Sequence, residues 1–525
     1  MENLFRYIGE NLLTTIQLHI MGRYLSIIVF GFSLVAGVAA PKKPNILFIS
    51  VDDLRDWVGF MGGYKGKVHT PHMDELASRG TAFLNAHTAA PVCCPSRAAV
   101  MSGLLPSTSG IYNNGHWWKP NLPELVTLPE HFRNNGYLAV GAGKIFHHTA
   151  GNNPPAVWDK YHRLVFNDDA FSRSSGRYLT LYPYTKSRPV PKEFPYSGIK
   201  LYSPEVDWGV LPKQEKAMDD YQTVKYCTDF LARKHTKPFF LACGIFHPHL
   251  PWYVPKKYLD LYPVDQVQLP EVLGGDLNDI PETGQKLALR KNPDLKRIMA
   301  AKKWKSAVAH YLASVTYADA RVGQLLKGLD QSDYAENTII VLWSDHGWHF
   351  GEKEHWHKRT LWHVCTRVPF IVAAPGVGKS QQRSNRPVSL LDIYPTLIEL
   401  CDLSKQPGLD GVSLVPLLKN PQALRQEPVV TVSEDQHVSL VDGRYRLIRY
   451  RDGSEELYDR KLDPHEWNNR AADPKLKGVK QQLSMFVPRK WAKPALNKKA
   501  FQFNPHTYTW KHKKTGQIIE GRKNP

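Results

Sequence analysis

Four apolar runs, Asn45 to Val51, Tyr137 to Val140, Pro238 to Ile245 and Thr338 to Trp343, are each followed almost at once by ionisable side chains. Short runs without polar alternation are what strands buried on both faces require, and such strands belong to sheets covered by helices on both sides. The side chains that follow are Asp52-Asp53, Lys144 and His147, His247 and His249, and Asp345-His346. In open α/β sheets ligands bind beyond the carboxyl ends of the strands. Four distant stretches of chain therefore bring carboxylates, lysines and imidazoles to one edge of one sheet. Between the strands lie helical patterns. The longest, Val308 to Leu329, puts Val308, Leu312, Val315, Val322, Leu325 and Leu329 on one face, and a second spans Val388 to Leu400. Alternating strands and helices imply an α/β fold, a large mixed, mainly parallel sheet flanked by helices.

Past about Arg425 the pattern changes to short segments, Val429 to Val432, Val438 to Val441 and Tyr445 to Tyr450, punctuated by Asp442-Gly443 and Asp452-Gly453. Such spacing with Asp-Gly turns reads as a small antiparallel sheet. The chain of 525 residues divides on this reading into a signal segment (1–40), a catalytic domain (41–425) and a C-terminal antiparallel-sheet subdomain with a basic tail (426–525). The tail from Pro488 to Pro525 shows no strong periodicity. Trp158 to Trp208, rich in Tyr, Ser and Pro, reads as a long irregular connection and a candidate cleft wall.

Formal charge is +19, from 68 Lys plus Arg against 49 Asp plus Glu, which favours polyanionic partners. No zinc-finger, RNA-recognition or basic-zipper pattern accompanies it, so nucleic acid is not an expected partner. Tyr24 to Ala40, preceded by Arg23, reads as a secretory signal peptide cleaved near Ala39 or Ala40, with no stable membrane insertion afterwards. Apart from Cys93, five cysteines remain at scattered spacings, which suggests no disulfide framework. With no Asn-x-Ser/Thr sequon in the chain, a bacterial periplasmic or secreted protein is expected.

In Cys93-Cys94-Pro95-Ser96-Arg97, proline and arginine follow the first cysteine at fixed offsets. Val51-Asp52-Asp53-Leu54, Gly143-Lys144-Ile145-Phe146-His147, Pro248-His249-Leu250-Pro251 and Ser344-Asp345-His346-Gly347, with Lys358 beyond, complete the set. In this order and spacing they resemble the type I, formylglycine-dependent sulfatases of the alkaline phosphatase superfamily, and among these the iduronate-2-sulfatase-like branch. The resemblance runs from about Pro44 to about Asn469. The proline sets the register, which fits Cys93 and not Cys94.

The resemblance implies an alkaline-phosphatase-like fold and hydrolysis of a sulfate ester on a sulfated carbohydrate. Cys93 would be oxidised by a formylglycine-generating enzyme to an aldehyde whose hydrate is the nucleophile. Asp52, Asp53, Asp345 and His346, with modified residue 93, would hold a divalent cation. Oxygen-dominated coordination suits calcium, with magnesium the alternative. Arg97 would hydrogen-bond the nucleophile and compensate the local acidity, and a helix from Arg97 to Leu104 would direct its N-terminal amides at an anion on residue 93. Lys144 and Lys358 would bind sulfate oxygens, His249 would protonate the leaving alcohol, and His147 would deprotonate the second hydroxyl. Gly351 to Lys358 is so rich in lysine and histidine that Lys353 rivals Lys358. His148, His247 and His349 have no assigned role. Two other readings stay open: a phosphonate or phosphate monoester hydrolase of the same superfamily, and a sulfated-glycan-binding protein in which Cys93 is never converted.

Overall fold

The computed structural model describes residues 43–162, 195–201, 206–211, 215–290, 292–434 and 436–521. The apolar segment from Tyr24 to Ala40 lies outside them, as does most of the connection between Trp158 and Trp208. The ends of that connection are not irregular: Lys160–His162 extends the main sheet and Trp208–Val210 pairs with Trp252–Val254.

The main sheet has eight strands among the described residues: β1 (Asn45–Val51), β2 (Thr81–Phe83), β3 (Leu138–Gly143), β4 (Lys160–His162), β5 (Phe239–Ile245), β6 (Thr338–Ser344), β7 (Phe370–Ala373) and β8 (Gln382–Ser384). Their order is β8-β2-β7-β6-β1-β5-β3-β4. From β6 to β4 every pairing is parallel, and β7 alone runs against its neighbours.

Alternate residues of the central strands supply two separate cores. Leu47, Ile49 and Val51 face one core with Leu241, Ile245, Ile340 and Leu342, while Ile46 and Phe48 face the other with Phe240, Val341 and Trp343. The first core is covered by α1 (Pro71–Arg79), α4 (Asp219–Leu231) and the long α5 (Trp304–Asp330), and the second by α2 (Cys93–Ser102), α3 (Leu128–Asn134) and α6 (Ile393–Leu400). All six stripe residues expected on α5 are buried there.

Three expectations need correction. The helix expected from Arg97 begins at Cys93 itself, so residue 93 lies in the first turn. Val388 to Leu400 is not one helix: Val388–Ser389 pairs with Ala86–His87, the Ser389 side chain accepts from Leu391, and α6 starts only at Ile393. The basic tail is structured. Beyond the small sheet of Val429–Val432, Val438–Val441, Tyr445–Arg449 and Glu455–Asp459, a second antiparallel sheet forms from Phe501–Asn504, Thr509–His512 and Ile518–Glu520. Its Phe501, Tyr508 and Trp510 bury themselves on Trp117, a partner nearly four hundred residues away in sequence.

Register places the polar motifs side by side. Val51 lies opposite Ile245 on one side and Ser344 on the other, and Gly143 lies opposite Gly244. The Lys144 backbone crosses so close to Gly244 that a Cβ there would stand 2.3 Å from it, which is why this strand end needs glycine. All six cysteines are buried and none is in a disulfide. Among the described residues no helix is long and apolar enough to cross a membrane.

Because Leu312 is fully buried between α5 and the sheet while Met299 is half exposed, Leu312→Ala is expected to lose about 2–5 kcal/mol of stability and Met299→Ala less than about 0.5 kcal/mol. Urea unfolding of the two variants side by side checks the assignment of this face.

Candidate active site

Cys93 opens α2 at the carboxyl edge of the sheet, almost wholly buried. Its Sγ lies 3.0 Å from Lys358 Nζ, 3.3 Å from His346 Nε2 and 3.8 Å from Asp53 Oδ1, and it is hydrogen-bonded to His147. Burial pushes the thiol up, but Lys144, Lys358, His346 and the His147 hydrogen bond together bring it well below the usual cysteine range. Cys94 points elsewhere. Its amide donates to Asn114 and its Sγ faces the His116 carbonyl and Asn152, and burial raises its thiol to about 12. Of the two, Cys93 is the one that lies among the lysine and imidazole groups.

Asp52 and Asp53, adjacent in sequence, have different partners. Asp52 accepts from Arg97 Nη2 at 2.7 Å and from Lys144 Nζ. Asp53 turns through a left-handed backbone (φ 57°), fixed by its amide on Asp345 Oδ1 and by Tyr311 Oη on its carbonyl, both at 3.0 Å. Its carboxylate meets both Lys358 Nζ, at 2.7 and 2.9 Å, and His346 Nε2 at 3.3 Å. His249 Nε2 approaches to 3.8 Å while its Nδ1 is held by the Leu250 carbonyl.

Arg97 is fully buried, and its N–H groups go to Asp345 Oδ2, Asp52 Oδ1, Ser50 Oγ and the carbonyls of Lys144 and Ile145. Its charge acts on residue 93, and its side chain braces the two carboxylates. Lys144 likewise pairs with Asp52, over the Phe246 ring. Lys353, the rival of Lys358, is bound to Asp276 at 2.7 Å and to the Glu466 carbonyl, away from Cys93. His247 pairs with Asp220 at 2.6 Å and His349 with Thr360 at 2.6 Å, both structural contacts. Every side chain expected at the site except Asp52, Arg97 and Lys144, which bind one another, therefore reaches residue 93 or Asp53 directly.

Asp53, Cys93, Asp345 and His346 each offer one ligand atom, and these atoms lie within 4.8 Å of one another, as do those of Asp52, Asp53 and His249. Each group contains two carboxylates, Asp53 with Asp345 and Asp52 with Asp53, hard oxygen donors that fit a divalent cation. The density of negative charge is visible in His346: burial alone would lower its pKa, but Asp345 and its neighbours raise it to about 9. His147 goes the other way, lowered by burial to about 4 despite its hydrogen bond to Cys93, so its imidazole is neutral at ordinary pH. Its Nδ1 has no hydrogen-bond partner among the described residues.

The Sulfatase family model matches residues 44–403, and a second model, N-sulphoglucosamine sulphohydrolase, C-terminal, matches 351–491. The chain belongs to the sulfatase family. A "Sulfatase" of Formosa agariphila is 37% identical over 85% of this chain and 87% of its own. The iduronate 2-sulfatase of Homo sapiens is 30% identical over 83% and 82%. Among solved structures, a phosphonate monoester hydrolase of Agrobacterium radiobacter superposes with a TM-score of 0.69 at 20% identity, covering 84% of this chain and 94% of the other. That likeness shows the shared fold. As a sulfatase the protein is a sulfuric ester hydrolase.

Several groups that shape this sulfatase site escaped the sequence reading. Ser96 Oγ donates to the Asp345 carbonyl at 2.7 Å, tying α2 to the end of β6. Ser50 Oγ bonds the Lys144 carbonyl at 2.9 Å. Tyr311 Oη joins the Asp53 carbonyl to the Arg55 amide. Ser96 lies inside the cysteine motif and Ser50 ends an apolar strand, so position offered a signal for both. Tyr311 sits among the apolar residues of α5, where only the tertiary fold gives its hydroxyl a task.

Removal of Arg97 strands two buried carboxylates, so Arg97→Ala is expected to cost about 3–5 kcal/mol, measured as a fall in the melting temperature. Asp345→Asn is expected to lower the divalent ion bound per chain, measured by elemental analysis after gel filtration. Unchanged stoichiometry takes Asp345 out of the ligand set.

Proposed function

We propose that this sulfatase desulfates an acidic carbohydrate, with residue 93 working as formylglycine. The observation that carries this reading is the convergence on Cys93 Sγ of Lys358 Nζ, His346 Nε2 and His147, while Cys94 beside it meets none of them. The hydrated aldehyde supplies two hydroxyls on one carbon, one to take the sulfuryl group from the ester and the other to expel inorganic sulfate and restore the aldehyde. No water then has to attack sulfur. A divalent ion held by Asp53, Asp345, His346 and residue 93, with Asp52 and His249 adjoining, supplies Lewis-acid neutralisation of charge. The carboxylate-rich set favours calcium over magnesium.

The remaining work falls to side chains. Lys358 and Lys144, whose charges both act on residue 93, are point charges that neutralise sulfate oxygens. His249, its Nδ1 fixed on the Leu250 carbonyl, presents Nε2 to the cleft, where it protonates the departing alcohol. His147 is neutral and hydrogen-bonded to residue 93, the state a base needs to take the proton from the second hydroxyl. Arg97 holds Asp52 and Asp345 in place.

The likeness to iduronate 2-sulfatase supports a sulfated uronate as substrate, and the +19 charge suits a polyanionic chain. The apolar segment from Tyr24 to Ala40 supports export, with the periplasm or the exterior as the site of action. Ion chromatography of released sulfate tests the reading on sulfated uronate oligosaccharides, with the phosphonate monoester 4-nitrophenyl phenylphosphonate, followed by released 4-nitrophenol, as the competing substrate. Wild type is expected to favour the sulfate ester, and Cys93→Ala to release none while melting within a few degrees of wild type. Comparable sulfate release by Cys93→Ala removes the nucleophile assignment, and preferred phosphonate cleavage removes the substrate class.

A further inference from the structure

Eleven non-glycine residues have positive φ among the described residues, and four of them, Lys353, Glu354, His357 and Arg359, crowd around Lys358 with φ of 55°, 48°, 84° and 84°. Lysine, glutamate and arginine rarely adopt the left-handed region, histidine only somewhat more often, and a run of such backbone persists only where its surroundings over-determine it. Here the surroundings are side-chain anchors. Lys353 is tied to Asp276, and His355 bonds the Ala288 carbonyl at 2.6 Å and the Lys358 carbonyl at 3.0 Å. His357 Nε2 meets Asp294 Oδ2 at 2.9 Å, and the Arg359 amide donates to the Pro91 carbonyl at 3.0 Å.

The His357 anchor bears most directly on the lysine. Asp294 belongs to a separate helix, Asn292–Ala300, and is almost wholly buried. The His357 ring packs edge-on against Trp348 with centroids 4.9 Å apart, and the Lys358 ammonium lies 5.5 Å from the centre of the same indole. Histidine, indole and ammonium thus form one stack whose far end is clamped by a buried carboxylate. Lysine is a point charge on a flexible four-carbon stem, so its ammonium stays 3.0 Å from residue 93 only if backbone and neighbours hold it there.

We propose that Asp294 and His357 are positioning residues for the reaction, acting through Trp348 and the strained backbone to fix the Lys358 ammonium beside residue 93. The inference rests on Lys358 serving the sulfate site as described above. Neither residue touches the reacting atoms, so their effect must pass through Lys358.

A double-mutant cycle tests this on the full-length enzyme with 4-nitrophenyl sulfate as probe, comparing His357→Ala, Lys358→Met and the combination, with melting temperatures recorded throughout. His357→Ala is expected to lower kcat about 10- to 100-fold, yet to cost less than about twofold more in the Lys358→Met background. His357→Asn, which tolerates positive φ and keeps a donor toward Asp294, is expected to recover most of the rate. Asp294→Asn, a near-isosteric change, should lower kcat in the same direction by a smaller factor. Equal losses from His357→Ala in both backgrounds, or an unchanged kcat in His357→Ala, overturns the proposal. A Lys358→Met enzyme as fast as wild type overturns the underlying reading of Lys358 instead.

Discussion

Arg97 is the constraint on which the rest of the site depends. A fully buried guanidinium has no water to solvate it, and here the compensation comes from three separate segments: Ser50 and Asp52 at the end of β1, Asp345 at the end of β6 and the carbonyls that follow β3. Because Arg97 lies one turn along the helix that Cys93 opens, satisfying its charge fixes residue 93 against the strand ends. Folding and catalytic geometry are the same event at this point. A buried ion pair adds little net stability compared with an apolar core of equal volume, but breaking it is costly. The pairing therefore acts on which arrangement the strand ends adopt more than on how stable the whole is.

The site also shows how one chain position decides between chemistry and scaffolding. Asp52 serves Arg97 and Lys144, while Asp53, turned by a left-handed φ, faces Lys358, His346 and His249. Cys93 meets cations and imidazoles, whereas Cys94 meets a carbonyl and two asparagines, and the two thiols shift in opposite directions as a result. His247 locks Asp220 to the Tyr253 carbonyl, and two residues later His249 turns to Asp53.

Much of this was legible in the sequence because buried parallel strands have to be continuous apolar runs, and their polar ends mark the sheet edge. The ends of β1, β5 and β6 follow from that pattern to within a residue, as does the stripe on α5. What the sequence did not reveal depends on partners far away in the chain. Lys353 and Lys358 are equivalent as sequence, and only Asp276 and the Glu466 carbonyl draw Lys353 off. The role of Arg97 followed from its neighbours in space, not its offset from Cys93. The C-terminal sheet was missed because its alternation, Phe501-Gln502-Phe503 and Tyr508-Thr509-Trp510, is too short to stand out until Trp117 provides the surface it covers.

The central claim is that residue 93 is an aldehyde when the enzyme works. Mass spectrometry of the peptide spanning residue 93, from active protein of the native source, addresses it directly. The expected result is a mass in which one oxygen replaces the sulfur and two hydrogens of the cysteine, on a peptide that reacts with hydrazide while activity falls in step. An unmodified thiol at position 93 in protein that hydrolyses sulfate esters at full rate contradicts the account.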